Sequence, residues 1–555
     1  MTINDNSKKN DALDPVEAPE LIFGLIGPVG TDTQKIYSLL ESELLNYDYK
    51  AYRISVSNCI HKMGNLAKLN EIKNDEYQRI SSHMKAGTQI RDTSERGDAL
   101  ALLAISEIKD IRTEANKNEN KEYPSNIPIK RAAYILDSLK HPSEIESLRI
   151  IYRRAFFAIS IYTPRSQRLK ALSERIAVSR TDIAITDDCQ PQAEELIHID
   201  ENESGTQFGQ NVRGAFPKAD FFLDASHPQN LQKHLDRFLQ LVFGNPFKTP
   251  EIDEWGMFYA ESSSWRSGDL ARQVGASIIS KEGELLVTGC NEVPKAFGGY
   301  FWDGDNFDDR DLIYGFDKGT LHKQLMVAEL LKKIGDMGYI DPEKKEKFKE
   351  ELENTKKGRV GKWLKDTQAY NILEFSRSVH AEMAAISEAA KRGISINKKI
   401  LYVNTFPCHI CARHILASGI HEVVYIEPYP KSLTDILYSN QIDTSGEAHK
   451  ENKVKFRPFC GVAPRAYQFL FCNITERKLQ SGYVYQWSKR EADPKFNQYV
   501  ASYILLEDDV LRYNVDHITN KTKYLSWDEN QKKVTTKEEK GEDNERTSKK
   551  VAKSD

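Results

Sequence analysis

Short apolar runs alternate with amphipathic stretches through the first 245 residues. Residues 21–26, 132–136, 156–162 and 219–223 are dense in Ile, Leu, Phe and Ala and predict strands. Residues 35–45 and 227–243 carry apolar positions three and four apart and predict helices. Strands separated by helices point to a mostly parallel sheet. The polar stretch 114–126 is expected as an exposed loop. Pro246 and Pro250 interrupt the pattern near 245–252, and a domain boundary is expected there. The order then changes. Residues 274–280 and 284–290 read as a hairpin around Lys281-Glu282-Gly283. A long polar and helical stretch follows at 300–375. Next come a helix at 379–391 closed by Gly393, a strand at 399–405, a helix at 408–418 and a strand at 422–426. No internal repeat occurs at solenoid periods.

Composition narrows the class. The chain has 555 residues, 39% hydrophobic and 29% charged, with a formal net charge of −4. Near-neutral charge argues against a protein whose main task is coating nucleic acid. Seven cysteines are too few, and too irregular, for a disulfide framework. The first 18 residues are polar and lack the apolar stretch of a signal peptide. No apolar run is long enough to span a bilayer. The expectation is a cytoplasmic protein with no membrane partner. Its parts are a tail at 1–18, one domain at 19–245, a second at 246–526 and a charged, disordered tail at 527–555.

The sharpest chemical signal is His380-Ala381-Glu382 followed by Pro407-Cys408-His409-Ile410-Cys411. Cys408 and Cys411 are three apart and share a helix face. Pro407 suits a helix start, where partial positive charge favours thiolates. Two thiolates and one imidazole make three metal ligands, the open arrangement of a catalytic Zn2+ site. Glu382 is then left to carry protons. His380 and Glu382, two apart, do not share a face in a regular helix. His380 is therefore expected at the very start of its helix, with the metal beyond that end. His409 and His414 read as packing or supporting groups. Cys59, Cys189, Cys290, Cys460 and Cys472 read as small buried hydrophobes. Cys-x-x-Cys alone also fits a structural zinc half-site or a redox pair.

These motifs follow the signature of the zinc base deaminases. Together with Arg272-Gln273-Val274-Gly275-Ala276, with Gly289-Cys290-Asn291-Glu292-Val293-Pro294 and with Tyr429-Pro430, they make residues 260–430 resemble the deoxycytidylate deaminase branch. The resemblance implies a cytidine-deaminase-like α/β/α sandwich. It implies free cytosine deoxynucleotides (dCTP or dCMP) as substrates, Asn291 holding the substrate sugar, and a homo-oligomer. By the same resemblance segment 300–311 lies near the substrate, although a solvated loop fits it equally.

Gly24-Leu25-Ile26-Gly27-Pro28-Val29-Gly30-Thr31-Asp32-Thr33 follows a strand and precedes a helix, the setting of a phosphate-binding loop. Gly24, Gly27, Gly30, Thr31, Asp32 and Thr33 are the candidate nucleotide-binding residues. The usual Lys and Ser/Thr are missing, and Asp32 brings negative charge toward a phosphate. A tight turn that needs its glycines fits as well. Asp137-Ser138, Arg165 and Arg168 suit a P-loop nucleoside-kinase-like parallel sheet. The pairing of such a domain with the deaminase motifs resembles the bacterial anti-phage dCTP deaminases. That resemblance implies depletion of dCTP during infection. It also implies an N-terminal domain that regulates, through a purine or other nucleotide or through an inhibitory or activating partner. Two other readings stay open: a nucleic-acid cytosine deaminase, and a non-enzymatic nucleotide sensor with structural zinc.

Overall fold

The computed structural model describes residues 16–512, except 62–74, 118–122, 181–185, 204, 357–360, 362–366, 368–369, 371, 373, 428–431, 445–451, 474–475 and 500–502. The expected tails fall almost wholly outside the described residues, and Tyr429-Pro430 does so entirely. The chain divides into two compact units. The first comprises residues 1–248 and 473–555, the second Thr249–Cys472. The expected boundary near 245–252 lies where the first cut falls. The second domain, expected to run to 526, instead ends at Cys472, because the chain after it packs into the first unit.

The first unit is built on five parallel strands: β1 (Leu21–Ile26), β2 (Lys50–Ser55), β3 (Ala132–Asp137), β4 (Phe156–Tyr162) and β5 (Phe221–Asp224). Their order is β5-β4-β1-β3-β2. Ile22 lies opposite Tyr134 on one side and Phe156 on the other. Every residue of β1 and β3 is buried, as suits central parallel strands covered on both faces. Helix α1 (Thr33–Leu45) follows β1 and is capped by Asp32, whose carboxylate accepts from the Lys35 amide. Two long helices, α2 (Glu76–Ser94) and α3 (Ala99–Ala115), lead to β3. The helix α4 (Leu231–Val242) sits inside the expected 227–243.

The second unit holds helix α5 (Ile252–Ser264) and strands β6 (Gly275–Ile279), β7 (Leu285–Cys290), β8 (Ile400–Thr405), β9 (Glu422–Glu427), β10 (Ile442–Asp443) and β11 (Val454–Pro458). The sheet order is β10-β11-β9-β8-β6-β7. The β6–β7 and β6–β8 pairs are antiparallel, and the others are parallel. Glycines mark its two faces. A Cβ on Gly275 would stand 1.9 Å from Ala260 O of α5. A Cβ on Gly289 would stand 2.4 Å from both Ala381 O and Ala385 N of helix α6 (Ala381–Arg392). Gly275 pairs with Cys290, whereas Gly289 pairs with Ala276, so the two glycines point to opposite faces. The unit is therefore an α/β/α sandwich. Its core on the α6 side includes Ala276, Ile278, Ala385, Leu401, Val403 and Val423. Helix α7 (His409–Ala417) packs beside α6 on that side, burying Ala412 and Ile415 in the same core. Among the described residues no helix is long and apolar enough to cross a membrane.

Candidate active site

Two helix starts meet at one end of this sheet. His380 is the N-cap residue of α6, with an extended backbone (φ −65°, ψ 154°). This is the placement its spacing from Glu382 requires. Cys408 is the N-cap of α7 (φ −70°, ψ 164°), and Cys411 lies in the first turn. The Nδ1 of His380 lies 3.3 Å from Cys408 Sγ and 3.4 Å from Cys411 Sγ. One ligand atom from each of the three residues falls within 4.8 Å of the others. Two sulfurs and an imidazole nitrogen this close fit a tetrahedral zinc ion. Among the described residues this is the one such group, and neither His409 nor His414 belongs to it.

The surroundings fix these side chains. The Val379 amide donates to Glu292 O at 3.0 Å, and the Glu292 amide donates back to Val379 O at 3.2 Å. This bridge ties the residue before His380 to the chain leaving β7. The Glu292 carboxylate is buried and accepts from the Gly268 amide at 2.8 Å. Ser432 Oγ and Thr434 Oγ1 both donate to Pro407 O, at 3.0 and 3.2 Å, and hold the turn that presents Cys408. Ser432 and Thr434 escape a reading of the sequence, and Glu292 enters it only within the Gly289–Pro294 motif, because only the tertiary contact gives these residues their supporting role.

Protons are unevenly shared among these side chains. The Cys408 thiol is lowered to about 4 by the hydrogen bond from Cys411 and by the His380 imidazole. Cys411 is pushed up by its hydrogen bond to Cys408 and by burial. His380 is raised to about 9, chiefly by its hydrogen bond to Cys408. Glu382, 4% exposed in the first turn of α6, has its pKa raised by burial. A carboxyl held toward its protonated form is suited to passing protons near neutral pH.

Asn291 is buried and doubly engaged. Its Oδ1 accepts from the Val274 amide and its Nδ2 donates to Arg272 O, both at 2.7 Å. It thereby latches the strand entrance at 272–274. In segment 300–311, the rings of Tyr300 and Trp302 lie 3.9 and 4.0 Å from the Arg266 guanidinium, while Phe307 is exposed. Cys59, Cys189 and Cys290 are buried as expected. Cys460 is only half-buried, and Cys472, expected inside, is exposed where the chain leaves the second unit.

In the first unit, Gly27, Gly30, Thr31, Asp32 and Thr33 border one cavity. Gly24 does not. It sits within β1, where a Cβ would meet Leu139 Cδ1 at 2.5 Å and Phe156 at 3.0 Å, so its smallness serves packing.

Residues 250–427 match the cytidine and deoxycytidylate deaminase zinc-binding region. That span contains His380, Glu382, Cys408 and Cys411. The deoxycytidylate deaminase of Enterobacteria phage T2 is 40% identical over 96 residues, 17% of this chain and 50% of that protein. The deoxycytidylate deaminase of phage T4 is 39% identical over 100 residues, 17% of this chain and 52% of that protein. The chain thus spans about half the length of the curated relatives it matches. The dCMP deaminase structure from cyanophage S-TIM5 is 18% identical, at a TM-score of 0.20, over 38% of this chain and 99% of that one. The second unit carries a zinc-binding region of the cytidine/deoxycytidylate deaminase type.

Proposed function

We propose that the second unit hydrolyses the C4 amine of free cytosine deoxynucleotides, with dCTP as substrate and dCMP as a second one. The supporting observation is the convergence of His380, Cys408 and Cys411 at two helix starts beside the buried carboxyl of Glu382. These three residues hold zinc. Bound there, the metal supplies a Lewis acid that lets water act as a nucleophile near neutral pH. Glu382 would take one proton from the attacking water and pass it to ring N3, then carry the second, from the new C4 hydroxyl, to the leaving amine. One water is consumed, the C4–N bond breaks, and a deoxyuridine nucleotide and ammonia leave. Asn291 keeps one amide hydrogen for the substrate sugar while it latches residues 272–274. The first unit is regulatory, and the whole protein depletes dCTP as a defence against phage.

Purified protein incubated with dCTP, dCMP, CTP and single-stranded DNA, with products read by mass, tests this reading. Deoxyuridine nucleotides from dCTP and dCMP are expected. Uracil appearing only in DNA would sink the substrate assignment.

A further inference from the structure

The first unit walls a cavity of about 1250 Å³. Besides the glycine loop, its lining includes Cys59 and Ile60 from the turn after β2 and His83 from α2. His61 follows directly. It ends the helical turn that begins at Val56, and it is exposed while Cys59 and Ile60 before it are buried. His83 is half-buried in the interior of α2, between the buried Ile80 and Met84 on one side and solvent on the other. Both histidines thus stand on anchored backbone.

The two rings meet edge on. Their Nε2 atoms lie 3.2 Å apart, their centres 5.2 Å apart and their planes at 67°. His83 Nδ1 lies 2.7 Å from Arg79 O. A carbonyl only accepts, so Nδ1 donates, and Nε2 of the neutral ring turns a lone pair toward His61. Histidines that ligate metals commonly donate their other N–H to a backbone carbonyl in this way, which fixes the tautomer and the ring direction.

Two arrangements can bring the nitrogens this close. In a straight N–H···N bond of this length both rings lie along one line, with centres about 5.5 Å apart. A zinc ion about 2.0–2.1 Å from each nitrogen instead holds tetrahedral ligands about 3.3 Å apart and ring centres about 5.2 Å apart. The pair is bent as the second arrangement requires. Arg79, one turn before His83, is paired with Glu76 at 2.6 Å, so its charge does not stand alone against a cation here. Among the described residues no third His, Cys or carboxylate joins the pair within the 4.8 Å that unites His380, Cys408 and Cys411. Further coordination positions are therefore left to water or to a ligand's oxygen.

We propose that His61 and His83 form a second, weaker metal site, in the first unit, for a divalent transition ion such as zinc. Imidazole suits Zn2+, Cu2+ and Ni2+, whereas Mg2+ and Ca2+ call for oxygen ligands. The ion ties the turn after β2 to α2, two segments that wall the same cavity. Because both ligands must be in place, binding favours the folded first unit. The site uses no residue of the His380, Cys408 and Cys411 group.

The test returns zinc to full-length protein that has been dialysed against metal-free buffer, a step that empties a two-ligand site and leaves a thiolate site filled. Bound zinc is counted by mass spectrometry after equilibration at micromolar free zinc. The wild type should take up one further zinc per chain, and so should Cys408→Ala. His61→Ala and His83→Ala should not, and should need at least roughly 10- to 100-fold more free zinc for it, the cost of losing even a ligand's supporting partner. His322→Ala, at an exposed histidine of the second unit, serves as control and should behave as the wild type. Excess Mg2+ should not compete. Melting without zinc is compared first, and His61 is exposed, so its removal spares the packing. With zinc, the melting temperature should climb in the wild type and not in the two variants. No further zinc in the wild type at submillimolar free metal, uptake that survives in either variant, or equal loss in His322→Ala would each overturn the proposal. These counts involve no turnover, so failure here stays distinct from failure of the deaminase assignment.

Discussion

At the starts of two helices, a thiolate, a thiol and an imidazole share protons before any metal arrives. Zinc binds thiolates and neutral imidazole, so protonated ligands must give up their protons to it. Cys408, lowered to about 4, is already ionised near neutral pH. His380, raised to about 9, and Cys411, pushed above its usual range, still hold theirs. Two protons should therefore leave per zinc bound, and zinc affinity should keep climbing with pH past the titration of His380, because Cys411 still holds its proton there. Titrations of metal-free protein in buffers of different ionisation enthalpy measure this directly, and a buffer-independent heat would contradict it. Cys408→Ala removes both a ligand and the partner that raises His380. Its zinc content should fall far below one per chain, and full zinc by mass spectrometry would exclude Cys408 as a ligand.

The elements matter because they aim these residues. Gly289 lets α6 lie against β7, and any Cβ there meets backbone atoms that cannot swing aside. Gly289→Ala should cost about 1–3 kcal/mol, as overpacking does. It should also weaken zinc binding, since the start of α6 carries His380. Thermal melting and zinc content together check this. An unchanged melting temperature would show that the two layers yield freely. Legibility in the sequence followed the same geometry. Strands β1, β3 and β4 were readable because central parallel strands are continuous apolar runs. Strand β2 was not, being an edge strand that buries only Ile54 and carries Lys50 and Arg53. Helix α2 was not, because its buried positions include Ser81, Thr88, Arg91 and Ser94. The metal group could be read because helix spacing and helix starts constrain it locally. The Glu292–Val379 bridge could not, since its partners lie far apart along the chain.

At the scale of the whole molecule, the second unit is inserted into the first, which resumes at Asn473. The returning chain is clasped in the first unit by a buried ion cluster. Arg112 donates to Glu20 at 2.8 and 3.0 Å and to Glu507 at 2.5 and 3.0 Å, and Tyr503 and Tyr134 donate to Glu20. Arg112, Glu20 and Glu507 are all fully buried. Removing the single cation leaves two carboxylates uncompensated, so Arg112→Ala should destabilise the first unit by about 3–5 kcal/mol. Urea unfolding followed by a probe in that unit measures it, and a loss below about 1 kcal/mol would mean the clasp is solvated. This connectivity also explains the misplaced boundary at 526. Neither composition nor periodicity shows that helical residues 503–512 belong with a sheet begun at residue 21.

Turnover of dCTP by the wild type against Glu382→Gln tests most directly whether this one site performs this one reaction. Both proteins should hold equal zinc, because Glu382 is not a ligand. The wild type should release one ammonia per deoxyuridine nucleotide formed. The variant should be slower by about 10²–10⁴-fold, the usual contribution of a positioned proton carrier. A variant that turns over dCTP at the wild-type rate, or a wild type that releases no ammonia from dCTP or dCMP with zinc bound, would contradict the account.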